Sequence, residues 1–424
     1  MPCFGMDDRS LYQQILGLHA PWQVTGVELS IAHREVLVRV AHAAGHRFAC
    51  PHCQRECPIH DHRSRRWRHL DTCQLRTVLE AEVPRVDCSE HGVIQVHVPW
   101  AEPHSNFTAL FEAMVLSWLR EASIAAVADL VVLSWDQVDG IMQRAVDRGL
   151  ARRRPRPVAE LGVDETSFQK RHEYVTIILD RDRDVVLEVL DDRTKAGLRD
   201  WLFALPAEHR AAIRHVSMDM YAGYIEAVRE TLPAADDKIC FDRFHVAQHF
   251  GDAVSKVRVD EHRRLLREHG ESPLAGTRHD WLRSAVLIDN RSRREFMDLT
   301  RMNLSTARAW AIKETAASLW DYACRTRAEK AWTRLLGWVS RCRLQPVMRV
   351  GRMVKTHLRG IINAIIARVS NARSEAKNGR IQKIKAMACG FRSRARFRRA
   401  ILFHLGGLDL MPSGGGHCRT HTGS

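Results

Sequence analysis

The 424-residue chain has no run of about 18 uncharged apolar residues, so no membrane-spanning helix is expected. Its opening residues, MPCFGMDDRSLYQQ, lack the basic stretch and apolar block of an export signal, and a soluble, unexported protein is the expectation. No repeat of fixed period is visible. Acidic residues are in deficit: 50 Asp and Glu face 65 Lys and Arg, a net charge of +15. The resulting pI near 9.7 favours a polyanionic partner, with nucleic acid the leading candidate and an anionic membrane surface the lesser one. The 11 cysteines are odd in number and scattered, which does not make the disulfide framework of a small secreted domain. Reduced thiols in a reducing cytoplasm, some of them metal ligands, are expected instead. At 45% hydrophobic residues the chain can bury more than one core, and its length predicts two to four domains.

Composition and periodicity divide the chain. Residues 1–49 alternate apolar and polar in WQVTGVELS and REVLVRVAHAA, a β-rich segment with a small antiparallel sheet. Residues 50–100 read as a zinc-finger domain, 105–150 as a helix-turn-helix domain and 151–158, ARRRPRPV, as a basic linker. Phe107, Leu110, Phe111, Met114, Val115 and Leu119 share one helical face. The two short helices that follow fit either a DNA-reading element or a plain helical core pair. Asp136 and Asp139, near the start of the second, do not suit a phosphate-facing surface, and residues 131–133 also read as a strand.

Past the linker come strands at 159–168, 173–180 and 184–190, a helix at 195–205, a strand at 215–219, a helix at 221–232, a strand at 238–242 and another helix. That is the element order of an RNase H-like mixed sheet, whose first part would span 159–250. Residues 251–365 contain no convincing strand and predict an all-helical insertion, rich in Trp. The final helical part of the core spans 366–405, and the Gly-rich 406–424 reads as a disordered tail. The fold class is therefore multidomain α/β.

Cys50 and Cys53 form CxxC, and Cys88 and His91 form CxxH. Two such half-sites supply four ligands to a tetrahedral Zn²⁺, a structural site with no open position. His52, Cys57, His60, His62 or Cys73 could replace one of the four. Between the half-sites HRSRRWRHL sets Arg65, Arg66 and Arg68 around Trp67, either as a phosphate-contacting surface or as a solvated basic loop.

GVDETSF places adjacent carboxylates, Asp164 and Glu165, in a strand, and Asp219 ends the strand HVSMD. Carboxylates on neighbouring strand ends repel one another unless a divalent cation lies between them. A third, Glu375, stands among bases in SNARSEAKNGRIQKIK. Three acids could hold two Mg²⁺ (or Mn²⁺) ions about 3.5–4 Å apart for attack on a phosphodiester. Each acid also has a plain reading: a turn or cap for Asp164, a helix cap for Asp219, an exposed helical glutamate for Glu375. Periodicity does not decide between Asp164 and Glu165.

Together these stretches resemble the ISL-three-type insertion-sequence transposases, bacterial DDE enzymes with an RNase H-like catalytic domain. The resemblance covers nearly the whole chain, through CPHC, DCSEHG, VPWAEPHSNFT, GVDETSF, SMDMYAGYIEAV, FDRFHVAQHF and SNARSEAKNGRIQKIKAMACGFR. It implies that Asp164, Asp219 and Glu375 are the metal-binding acids, with Asp242, His245 and Asn378 in support. Their separations, 55 residues from 164 to 219 and 156 from 219 to 375, fit a core interrupted by an insertion. Cys389 stands where relatives tend to carry an aromatic residue.

The implied activity is that of a cytoplasmic, nucleoid-associated transposase that binds double-stranded inverted-repeat ends, cuts them and joins them to target DNA, working as a homo-oligomer. Lys377, Arg380, Lys383, Lys385 and Arg392 would hold phosphates, with steep salt dependence. A DNA-binding regulator with a vestigial catalytic domain, and a nuclease acting on hybrids or branched DNA, are the rival readings.

Overall fold

A computed structural model describes residues 7–169, 173–283, 290–369 and 372–413, without the side chains of 290–293 and 372–375. The chain forms two compact units, residues 1–153 with 408–424, and residues 154–407.

The first unit begins with helix α1 (Asp8–Ile15), capped by Asp7. Its strands are β1 (Trp22–Ser30), β2 (Glu35–His42), β3 (Phe48–Ala49), β4 (Glu56–Cys57), β5 (Ile59–Arg68), β6 (Arg76–Cys88) and β7 (Gly92–Gln95). β1, β2, β6 and β5 lie side by side in that order, with β7 also on β6 and β3–β4 as a separate hairpin. β1 and β2 are antiparallel, as their alternation predicts, whereas β2 and β6 are parallel. The β-rich 1–49 segment and the zinc-finger region from residue 50 are thus joined through one sheet. Both contribute strands to one sheet and side chains, among them Trp22, Val38, Trp67, Leu79 and Trp100, to one core. The parallel pairing joins residues about 40 apart, which local periodicity does not register.

Three helices follow: α2 (Ala109–Leu119), α3 (Ile124–Val131) and α4 (Trp135–Arg152). Glu112 of α2 is fully buried, yet it is paired with Arg144 at 2.5 Å and Arg148 at 3.2 Å of α4 and accepts from Ser105 Oγ at 2.8 Å. A buried carboxylate is tolerated only with such partners. Between α3 and α4, Val132 adopts a left-handed conformation and Ser134 forms a reciprocal capping box with Gln137. The tight connection is thus a turn, and the strand reading of 131–133 is excluded. Asp139 is turned into the core, while Leu130 and Val132 are exposed at the turn.

Residues 406–413, expected as part of a disordered tail, are ordered. Leu410 is buried, its carbonyl accepts from Arg148, and Arg152 bonds the Met411 carbonyl at 2.6 Å and the Asp409 carboxylate at 3.1 Å. A Cβ on Gly149 would lie 2.7 Å from Leu408, so the segment runs directly over α4. Residues 414–424 lie outside the described residues.

The second unit opens with β8 (Glu160–Gln169), β9 (Glu173–Asp180) and β10 (Val185–Leu190), an antiparallel meander within 1–2 residues of the predicted spans. There follow α5 (Lys195–Ala204), α6 (Ala207–Ala212), β11 (His215–Met218), α7 (Ala222–Thr231), α8 (Ala235–Lys238) and β12 (Ile239–Phe241). The sheet order is β10-β9-β8-β11-β12, with β11 parallel to both its neighbours.

Between Asp242 and Ala372 the described elements are helical: α9 (Arg243–His269), α10 (Arg278–Leu282), α11 (Asn290–Arg301), α12 (Ser305–Ser318), a single 3-10 turn, α13 (Arg325–Arg341), α14 (Gln345–Thr356) and α15 (Leu358–Ala367). Glu261, buried on α9, accepts from the Ser305 and Thr306 amides at 2.8 Å each and so caps α12 from a neighbouring helix. Trp281 and Trp332 are fully buried in a core that continues to Leu161 and Val216 of the sheet. Gly360 lets α15 close on β12, because a Cβ there would meet the Phe241 ring at 2.5 Å. The chain ends this unit with α16 (Ala372–Met387) and α17 (Arg394–Leu405).

Candidate metal sites

Two turns of the first unit bring four soft ligands together. Cys50 and Cys53 sit on the connection from β3 to β4, closed by the bonds Cys50 N to Arg55 O at 2.8 Å and Gln54 N to Cys50 O at 2.9 Å. Cys88 and His91 sit on the turn from β6 to β7, where Gly92 has a φ of 67°. One ligand atom from each lies within 4.8 Å of the others. Cys53 Sγ is 3.7 Å from Cys88 Sγ, and His91 Nδ1 is 3.7 Å from Cys50 Sγ and 3.5 Å from Cys88 Sγ. A tetrahedron with metal–sulfur bonds of about 2.3 Å has sulfur–sulfur edges of roughly 3.7 Å, so the spacing and donor set fit Zn²⁺. Hydrogen bonds from the Glu90 backbone and from His91 hold the Cys88 thiol down, at about 6, which favours the ligating thiolate.

The substitutes are occupied otherwise. Cys57 donates to Arg55 O, His60 faces Asp61, and His62 meets His42 at 3.0 Å. Cys73 is exposed, and His52 only packs near the His91 ring.

In the second unit the parallel register does the assembling. Gly162 pairs with Ser217 and Met218 with Phe241, so continuing each strand sets Asp164, Asp219 and Asp242 at one height on three adjacent strands. With His245, from the first turn of α9, they line one small cleft. Burial raises the Asp164 carboxyl above its usual range, opposed by the Glu165 amide, which donates to it at 2.8 Å. Burial also lifts Asp242 to about 6, while its carboxylate caps α9 by accepting from Phe244 N at 2.8 Å.

α16 lies along β8 and is stitched to it at one face. Asn378 Nδ2 donates to Asp164 Oδ2 at 2.9 Å, Gln382 to Thr166 Oγ1 at 3.1 Å and Lys385 to Ser167 O at 2.9 Å. Glu375 stands on this helix one turn before Asn378, but its side chain lies outside the described residues, as do Ser370 and Asn371.

Strand alternation separates the adjacent acids. Asp164 turns to α16, whereas Glu165 shares its surroundings with Arg193 and Tyr224. Glu165 is lifted to about 7 by burial and by the Asp219 charge. Arg193 lies 2.5 Å from Glu165, donates to Asp219 Oδ2 at 3.2 Å and stacks 4.3 Å above the Tyr221 ring. Sequence reasoning missed Arg193 and Tyr224, since neither belongs to a spacing pattern.

The expected phosphate-binding cations fare unevenly. Arg68 is buried, paired with Asp71 and laid over Phe111, and Lys377 is buried with its ammonium on Asp184 at 3.0 Å. Both side chains are buried and held by carboxylates, an arrangement that disfavours the expected phosphate contact. Arg65 is half-buried against Trp67 and bonded to the Ser105 carbonyl at 2.9 Å, and the segment is strand β5, not a loop. Arg66 is exposed but bridged to Glu35 and Glu80. Arg380, Lys383 and Arg392 are exposed.

The chain is similar to known proteins along most of its length. Residues 161–401 match a family model described as a transposase, the DDE domain of ISL3 elements. Residues 96–146 match the helix-turn-helix domain of transposase family ISL3, and 46–91 the zinc-finger of transposase IS204/IS1001/IS1096/IS1165. It is 28% identical over 415 residues to the transposase for insertion sequence element IS1557 of Mycobacterium tuberculosis, covering 90% of this chain and 91% of that protein. It is 23% identical over 352 residues to the transposase for IS1001 of Bordetella parapertussis, covering 82% and 86%. No helix among the described residues is long and apolar enough to cross a membrane.

Proposed function

The chain belongs to the ISL3 family of insertion-sequence transposases, and from that premise we propose how its two units divide the work. The second unit is an RNase H-like core with an all-helical insertion. Asp164, Asp219 and Glu375 form its metal-binding set, a group of carboxylate oxygens suited to Mg²⁺ or Mn²⁺. When bound, such ions would activate the attacking water or 3′-hydroxyl and stabilise the leaving oxygen. The protein's own contribution is placement: β8 and β11 hold Asp164 and Asp219 level, Asn378 fixes one Asp164 oxygen, and the Tyr221 amide fixes Asp219 Oδ1 at 2.9 Å. Glu375 approaches on the same helix as Asn378. Asp242 and His245 brace the cleft from α9.

The first unit binds the inverted-repeat ends. Its zinc knuckle is structural, and its α3–α4 pair reads the duplex, with the exposed Arg380, Lys383 and Arg392 of the second unit holding phosphates. Two ends must be cut in concert, which calls for a homo-oligomer, and DNA in the bacterial cytoplasm is the substrate.

The observation that carries this reading is the parallel register that levels Asp164 with Asp219 beside a helix bearing Glu375. Its test is Mg²⁺-dependent cleavage of supercoiled DNA carrying the element's own ends. Wild type should cut at the ends, and Asp164→Asn, Asp219→Asn and Glu375→Gln should bind without cutting. End binding without cleavage by wild type would favour a regulator, and cutting that ignores the ends a nuclease.

A further inference from the structure

Asp219 follows directly on β11, and the Tyr221 amide engages only one of its carboxylate oxygens, so the other needs a partner. We propose that Arg193 is a positioning residue for Asp219 and that Glu165 is the strut that holds Arg193 in place. The inference rests on the reading of Asp219 as a metal ligand.

The loop that carries Arg193 is clamped on both sides. Thr176 Oγ1 of β9 donates to the Asp192 carbonyl at 2.6 Å, and Thr194 caps α5 through the Gly197 amide at 3.1 Å. The Tyr221 hydroxyl reaches the Arg193 carbonyl at 3.4 Å. From this anchored backbone the guanidinium lies flat over Tyr221 and donates to Asp219 Oδ2. The Tyr221 amide takes the other oxygen, so both are engaged and the carboxylate plane is set. Each oxygen keeps a further lone pair for a cation.

Glu165 meets the guanidinium of Arg193 at Nε, beside the nitrogen that bonds Asp219. Its Oε1 and Arg193 Nε are 2.5 Å apart but not aligned as a hydrogen bond, and neither atom has another hydrogen-bond partner. Glu165 therefore acts on Arg193 as a charge, while the directional bond goes to Asp219. This gives the second acid of the GVDE stretch a role distinct from that of Asp164. A planar fork that stacks and donates at once is a task for Arg that Lys cannot reproduce.

The test uses the full chain with zinc bound and reads Mn²⁺ affinity by electron paramagnetic resonance, alongside cleavage of the element's ends. Residues that orient a metal ligand typically change metal affinity or activity about 10–100-fold. Arg193→Gln should weaken Mn²⁺ binding and cleavage by about that factor, with the unfolding midpoint near that of wild type because the side chain is 38% exposed. Glu165→Gln combined with Arg193→Gln restores the charge balance but not the fork, and should stay as weak as Arg193→Gln. Arg193→Lys should be intermediate and decides the matter if the Gln variants do not fold.

Wild-type Mn²⁺ affinity in Arg193→Gln, tighter binding, or full recovery in the double variant would overturn the inference, the last by reducing Arg193 to a counter-charge. If Asp219→Asn binds Mn²⁺ as wild type does, the metal-ligand reading of Asp219 has failed instead, and the positioning role falls with it.

Discussion

The two metal sites solve opposite problems. At the zinc knuckle four ligands come from two short turns of one small sheet, and a bound ion would add cross-linking to a unit with a modest core. At the acid cleft the carboxylates come from strands far apart in sequence, and the surrounding fold, with a core that runs from the sheet into the helices after β12, holds like charges together. On the proposed reading, an ion would support the fold at the first, and the fold would support the ion at the second.

The largest expected effect tests the first half of that contrast. Cys88→Ser should lose zinc and unfold much of the first unit, since structural zinc contributes on the order of 10 kcal/mol in small fingers. End binding should vanish while circular dichroism keeps the helical signal of the second unit. A Cys88→Ser protein that still bound ends at wild-type strength would make the zinc knuckle dispensable and break the contrast.

Next comes the acid cleft. Asp164→Asn should reduce end cleavage by about a thousandfold or more, some 4 kcal/mol, with thermal stability unchanged or raised because a buried carboxylate has been neutralised. A marked loss of stability would show that the carboxylate serves the fold.

A pH effect separates the units further. His69 is buried beside Arg68, which holds its imidazole down at about 4 mainly through burial, and its Nδ1 meets Thr108 Oγ1 at 2.9 Å. The unfolded chain, with an ordinary value near 6.5, binds a proton there that the folded chain does not. Stability should therefore fall as pH drops from about 6.5 to 4, by at most about 3 kcal/mol, and then level off. Urea titrations across that range should show the slope shrink in His69→Gln.

The smallest effect is Asn378→Ala. Loss of the bond to Asp164 should lower cleavage about 10–100-fold while end binding persists.

How much of this was legible in the sequence follows the same division. CxxC and CxxH singled out the four residues that the structure brings together, because chelation needs ligands close in sequence at each turn. The strands of the second unit were legible because antiparallel neighbours are local and their apolar runs are continuous. Asp164 and Asp219 stood out as strand-end acids and the family motifs chose among them, but no local rule relates residue 164 to 219; the parallel register that levels them exists only once the sheet has formed. Lys377 and Arg68 were misjudged for a related reason: a basic stretch shows charge but not which members of it turn inward to Asp184 or Asp71.

The segment over α4 has a consequence for synthesis. Leu410 and the carbonyls that Arg148 and Arg152 grip emerge from the ribosome more than 250 residues after the helix that receives them. The first unit therefore waits, with Gly149, Arg148 and Arg152 uncovered, until the second unit has been translated. Chains cut short before residue 408 would lack this closing strap, so the unit begun first is closed only after the second has been made.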